Sequence, residues 1–239
     1  MIPSFASRLQ NRLRRNRAGL LLNLSAAVLL LAAAAGAQAQ FSAPPPGTQV
    51  HDASALHPPA GARVAIFEFS DLQCPQCAFA YPLIEAAVEK YKIPWLYHDF
   101  VLPYHTWSTS ASINVHWFNL THKGLGDEYR KQVFANQSSI YNPEVLHQFT
   151  DKFAKEHGIA MPFAIDPQGK LATEVKADTV LGQRIGIDHT PTIWVVTANS
   201  KGAPYIEVTD TSKLYQIIDQ ALADTAPAVK PAAKKATAK

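Results

Sequence analysis

Cys74-Pro75-Gln76-Cys77 constrains this chain more than any other feature. These are its only two cysteines. An apolar run, Val64 to Phe69, leads into them, and helical spacing (Phe79, Leu83, Ala86, Ala87, Tyr91) follows from Pro75. A strand that feeds a helix through two cysteines at this spacing places both sulfurs at a helix N-terminus, where a disulfide can open and close. A purely structural bridge explains the pair poorly. Cross-linking residues so close in sequence removes little chain entropy, roughly 2 kcal/mol by the loop formula.

The N-terminus reads as a targeting segment. Residues 1–17 carry five arginines and no acid, residues 20–35 are largely apolar, and Ala37-Gln38-Ala39 offers a cleavage site. Residues 1–39 are therefore expected to be a signal peptide removed after Ala39. The rival reading is an uncleaved membrane anchor, because the apolar stretch is nearly long enough to span. Losing the segment takes Lys+Arg from 22 to 17 against 19 Asp+Glu, a net charge of −2 rather than +3. The basic balance of the whole chain thus belongs to its leader and gives no argument for nucleic-acid binding. Export predicts a periplasmic or secreted protein in an oxidising compartment, where disulfides persist.

Residues 40–62, rich in proline and small side chains, are expected to form an extended linker. The run from Arg63 to Phe69 predicts a strand buried on both faces. A helix from Pro75 to Tyr91 and a strand from Trp95 to Phe100 come next. Helical patterns then occupy His105 to His122, Asp127 to Ala135, Pro143 to His157 and Leu171 to Gly186. Thr192 to Thr197 and Tyr205 to Val208 read as strands, and Thr211 to Ala223 as an amphipathic closing helix. Residues 224–239, built of Ala, Pro and Lys, are expected to be a disordered tail. The predicted class is α/β, with a small mixed central sheet flanked by helices. Residues 63–104 and 187–223 would make the sheet domain, with a helical insertion at 105–186.

The chemistry follows from the helix start. A thiolate, not a thiol, attacks a disulfide. Cys74 at the N-cap faces unpaired amides and the positive end of the helix dipole, while Pro75 tolerates the first helical position. Cys74 is thus expected to be the nucleophile. Cys77, one turn deeper, is expected to keep its proton and act as the resolving thiol. A lowered Cys74 acidity constant also stabilises the reduced form and makes the disulfide more oxidising. Glu68 shares a strand face with Val64 and Ile66: either its carboxyl is buried, hard to ionise and placed to accept a proton near Cys77, or it is a strand-end acid that reaches solvent. Of the nine histidines, His98, His105 and His189 are expected nearest the site. Trp107, Trp117, Phe118 and Trp194 read as core. No metal site, phosphate-binding loop or serine nucleophile elbow is recognised, and no cofactor is expected.

Phe67-Glu68-Phe69-Ser70-Asp71-Leu72-Gln73 before the cysteines, with Thr190-Pro191-Thr192 before a later strand, resembles the thioredoxin fold. More narrowly, it resembles the DsbA-like thiol:disulfide oxidoreductases, from about Arg63 to Ala223. The segment His98 to His105 is similar to the one that leads into that family's helical insertion. The resemblance implies that Thr190 and Pro191 form a cis-proline loop facing the cysteines, although the sequence alone leaves the isomer open. Together with Pro75 and Gln76 these residues would bind an extended substrate segment through backbone pairing. Glu68 falls where the family often has a buried acid. Gln76 stands where the most oxidising members carry histidine. What this implies is an exported monomeric enzyme that forms disulfides in unfolded proteins with free thiols and is recycled by a membrane redox partner. A reductase or isomerase of the same fold, or a copper- or zinc-binding module, are the alternatives. Isomerases of the fold usually add a dimerisation domain, for which 41–62 is too short.

Overall fold

A computed structural model describes residues 47–198 and 201–225. The expected leader (1–39) and most of the tail beyond 224 lie outside these residues, as do Asn199 and Ser200 of the expected turn. Among the described residues, no helix is long and apolar enough to cross a membrane.

Ten elements follow in chain order. They are β1 (Val64–Ser70), α1 (Pro75–Tyr91), β2 (Trp95–Asp99), α2 (Ser108–Thr121), α3 (Leu125–Ala135), α4 (Pro143–Glu156), α5 (Lys170–Ile185), β3 (Thr192–Thr197), β4 (Tyr205–Glu207) and α6 (Leu214–Asp224). Single 3-10 turns occupy Gln137–Ser139 and Thr211–Lys213. The expected closing helix therefore begins as a 3-10 turn, because the Asp210 side chain accepts from Ser212 N and closes the chain locally.

The sheet runs β2-β1-β3-β4. β1 and β2 are parallel, joined across α1, and β3 lies antiparallel to both β1 and β4. All seven residues of β1 and all six of β3 are buried, as a continuous apolar run requires of central strands. Alternate β1 residues feed two cores. Val64 and Ile66 pack with Ile84 of α1 and Ile218 of α6 on one face. Ala65, Phe67 and Phe69 pack with Trp194 and Ile185 of α5 on the other. Each fully buried Ile or Phe contributes roughly 1.5–3 kcal/mol. Gly182 of α5 allows close approach to the second face, since a Cβ there would meet the Phe100 ring at 2.6 Å.

The helical insertion has its own core, in which Trp107, Phe118, Tyr129 and Phe153 surround one another. Leu72, Cys74, Cys77 and Tyr81 belong to that same core, so the cysteines sit on the seam between sheet and insertion. Residues 47–62, the described part of the expected extended linker, depart from that expectation. They form turns that lie against the domain, with Leu56 buried and His51 N donating to Ile185 O. Arg184 pairs with Asp52 at 3.0 Å. Leu56 supplies the apolar anchor that composition alone obscured.

Candidate functional site

Cys74 is the N-cap of α1, with extended backbone (φ −79°, ψ 120°), and Pro75 opens the helix. The helix then runs on through Pro82. Cys74 is 6% exposed and Cys77 is fully buried, whereas Pro75 and Gln76 between them are exposed. The two thiols are free. The Thr190–Pro191 peptide is cis, which answers what the sequence left open. This loop meets the helix start, and Cys74 Sγ donates to Thr190 O at 3.4 Å.

The two sulfurs are tuned in opposite directions. Cys74 is brought down to about 6. The largest cause is a hydrogen bond from the Cys77 side chain, opposed by burial and helped by the Thr190 side chain and the amides of Cys77 and Gln76. The helix amides thus take part, but the neighbouring thiol outweighs them. Cys77 is pushed well up, first by burial, then by its hydrogen bond to Cys74 and the negative charge of Cys74 and Glu68. At pH 7 an acid near 6 is about nine-tenths ionised, so Cys74 carries the thiolate.

Glu68 lies on the α1 side of β1, fully buried. Trp95 Nε1 donates to its Oε2 at 2.9 Å. Burial pushes this carboxyl up to about 7, with the nearby Ser70 hydroxyl, the Trp95 hydrogen bond and the charge of Arg130 pulling the other way. A raised carboxyl costs stability as pH rises. The folded state holds the proton between the unfolded value near 4.3 and its own value near 7, so stability falls across that window by roughly 4 kcal/mol. A Glu68→Gln variant is expected to lose most of this pH dependence and to match or exceed the parent above pH 7. Urea titrations at pH 5 and pH 8 measure it. Parallel pH curves for the two proteins would refute the assignment.

The histidines divide. His105 Nδ1 lies 2.8 Å from Asp71 Oδ2, beneath the cysteine loop. His189 adjoins the Thr190–Pro191 peptide and pairs with Asp188. His98 does not approach the sulfurs. It stacks on Phe67 and Phe69 on the opposite face of the sheet and bonds Asp178. The parity of β2 explains this, because His98 alternates with Trp95 and Tyr97, which face the site. Trp107, Phe118 and Trp194 are fully buried and Trp117 partly so. Among the described residues, no three His, Cys, Asp or Glu side chains are grouped to hold a metal ion.

Several residues of the site escaped sequence reasoning. Asp71 is fully buried and accepts from Gln73 N (2.7 Å), Leu102 N (2.8 Å) and Ser108 Oγ (2.5 Å), while its own N–H donates to Cys77 Sγ at 3.4 Å. Gln137 Nε2 donates to the carbonyls of Leu72 and Cys74 at 2.9 and 3.0 Å. Gln73 Oε1 accepts from Trp107 N. The cysteine loop is thus held from below by a carboxylate and from the side by the helical insertion. Only Asp71 had a signal in the sequence, an acid at the end of a buried strand.

A strand, a sharp turn, a helix headed by two cysteines and a facing cis-proline define a thioredoxin-type dithiol–disulfide centre. The chain belongs to the thioredoxin family, whose model matches residues 59–219. With the helical insertion its fold is that of the DsbA-type proteins. Similar solved structures include the thiol-disulfide exchange protein alpha-DsbA2 from Wolbachia pipientis, at 15% identity and TM-score 0.54, covering 69% of this chain and 84% of that one. A periplasmic thioredoxin-like protein from Salmonella enterica serovar Typhimurium matches at 16% identity and TM-score 0.54, covering 69% and 87%. ScsC from Proteus mirabilis matches at 16% identity and TM-score 0.54, covering 92% and 99%. No curated protein sequence matches the chain. The chain is a thiol-disulfide oxidoreductase of this family.

Proposed function

We propose that this oxidoreductase works outside the cytoplasm and runs chiefly as an oxidase, forming disulfides in unfolded exported proteins through Cys74 and Cys77. The observation that carries the reading is the opposite tuning of the two sulfurs. A thiolate stabilised on Cys74 favours the dithiol over the disulfide, so the disulfide form is an oxidant. In the forward step a client thiolate attacks Cys74 of the enzyme disulfide, and Cys77 leaves and takes up a proton. A second client thiol then attacks the client's own sulfur in the mixed disulfide, and Cys74 departs as thiolate. The client is oxidised by two electrons and the enzyme reduced by two.

The exposed Pro75 and Gln76 and the half-buried Thr190 and Pro191 border the one sulfur within a client's reach. They are the proposed substrate-binding surface, with Thr190 and Pro191 offering backbone to an extended client. Glu68 is the proposed proton partner of Cys77. Recycling needs a dithiol oxidant, for which a membrane redox partner is proposed. The periplasmic setting of the Salmonella relative and the composition of residues 1–39 support export. A monomer is the simplest state for this architecture.

The deciding experiment is the equilibrium of Cys74–Cys77 with glutathione, paired with oxidation of a reduced unfolded protein and reduction of insulin. The expected result is an oxidising constant, well on the oxidase side of thioredoxin, with efficient oxidation and slow insulin reduction. A strongly reducing constant with fast insulin reduction would overturn the direction. Inactivity in both assays, with tight copper or zinc binding, would overturn the function.

A further inference from the structure

Glu68 is the register partner of Tyr97 across β1 and β2. Trp95 and Tyr97 share a face of β2, so the indole that bonds Glu68 and the phenol beside it form one wall. Their rings lie 6.2 Å apart, edge to face. Over the Tyr97 ring, at 3.9 Å, sits the guanidinium of Arg130 from α3. Arg130 is 12% exposed and reaches solvent at its outer edge, where it pairs with Asp127 at 2.6 Å. Four polar atoms here are buried without a hydrogen-bond partner: Glu68 Oε1, Ser70 Oγ, Tyr97 Oη and Arg130 Nε. Orphaned polar groups are expensive in a core. Gathering them around one acid beside a thiol is the mark of a site built for charge rather than for packing.

We propose that Arg130 is a positioning residue for the proton that Cys77 exchanges with Glu68, its charge being delivered from the helical insertion across the face of Tyr97. This rests on the reading of the chain as a disulfide exchanger with Glu68 as proton partner. When a mixed disulfide resolves, the Cys77 S–H proton passes to the Glu68 carboxylate and Cys77 sulfur bonds to Cys74 sulfur. The Cys74–client bond breaks, and the client leaves as thiolate. In the opposite direction Cys77 leaves as thiolate and takes the proton back from the carboxylic acid. Glu68 must hold either state at neutral pH to serve both.

Burial alone works against that. The groups that act on Glu68 are Ser70 of its own strand, Cys74, Cys77 and Tyr81 at and in α1, Trp95 and Tyr97 of β2, and Arg130 of α3. Arg130 is the cation among them, and its charge favours the carboxylate. Without it the carboxyl holds its proton more firmly and has less room for the Cys77 proton. The Ser70 hydroxyl, unpaired itself, is near enough to act on Cys77, Glu68 and Tyr97 alike.

The test uses the full chain in its reduced form, with Arg130→Met and Arg130→Lys. The Glu68 carboxyl is titrated by difference infrared spectroscopy, with Glu68→Gln identifying its band. Resolution of a glutathione adduct on Cys74 is timed across pH. In Arg130→Met the carboxyl midpoint is expected to rise by on the order of one pH unit. Resolution at pH 7 is expected to slow about fivefold, following the lost carboxylate fraction. Arg130→Lys is expected to restore most of both. Arg130→Gln, which keeps a planar head over Tyr97, takes the place of the methionine variant should that one not fold. A folded neutral variant with an unmoved carboxyl midpoint overturns the proposal. An active protein whose midpoint ignores Arg130 refutes this inference alone, whereas an inert parent whose midpoint does respond refutes the functional reading it rests on.

Discussion

Replacing Cys74 by serine is expected to cut disulfide exchange by on the order of 10³-fold or more, whereas Cys77→Ser is expected to trap client proteins on Cys74. Ionisation alone does not set this asymmetry. Cys74 near 6 is about nine-tenths thiolate at pH 7, and a thiol at or above its usual value is a few per cent or less. That ionisation advantage is partly offset, because a more acidic thiol is a weaker nucleophile. Access decides the rest. Cys77 has no exposed surface, so a client sulfur reaches it only through Cys74. The same geometry makes Cys77→Ala informative. It deletes the largest stabilising hydrogen bond to the Cys74 thiolate, so the alkylation midpoint of Cys74 should rise above 6. Serine, whose hydroxyl still donates, should raise it less. Mass spectrometry of covalent adducts and iodoacetamide rates against pH read both effects. Equal alkylation of the two single-cysteine variants, with no trapped adduct, would show that the assigned roles are wrong.

The second large effect concerns Asp71. Asp71→Asn is expected to destabilise the protein by about 3 kcal/mol and to slow exchange as well. The carboxylate accepts with both oxygens: Oδ1 from Gln73 N and Ser108 Oγ, Oδ2 from Leu102 N, with His105 Nδ1 at 2.8 Å from the latter. An asparagine can present one oxygen to Gln73 and Ser108. Its NH₂ group must then face the Leu102 N–H, donor against donor, in a buried position. Because Asp71 immediately precedes the cysteine loop and its N–H reaches Cys77 Sγ, the damage extends to the sulfurs. Urea unfolding of the oxidised and reduced forms, with the exchange rate alongside, checks both parts. A variant of parental stability would mean that the carboxylate is not the anchor it resembles.

Much of the fold could be read from the chain because local and global signals agree there. β1 and β3 are uninterrupted apolar runs, and burial on both faces is what such runs require. Pro75 after Cys74 marks a helix start, and the helix is there. What escaped the sequence depends on long-range encounters. Arg130 and Tyr97 are separated by helix α2 and the loops on either side of it, and nothing in their local sequence says that one stacks on the other. Gln137 and Gln73 likewise find partners in the seam between sheet and insertion. His98 differs, since strand parity was legible and would have placed it behind the sheet. The segment from 47 to 62 looked like a linker because small residues and Pro58-Pro59 mark its composition, yet buried Leu56 anchors its packing.

The outer strands of the sheet acquire a meaning from the proposed task. A protein that handles unfolded chains meets many segments ready to add themselves as extra strands. Its own rims are each partly blocked. At β2 the Asp99 amide is taken by the Asp178 side chain at 3.1 Å. At β4 only three residues pair, and Glu207 is held by Thr48 N at 2.6 Å and Thr48 Oγ1 at 3.0 Å. A short or side-chain-blocked rim offers poor templates for aggregation. On the proposed function, a guest strand pairs at the cis-proline loop, where the chemistry is, rather than at a rim.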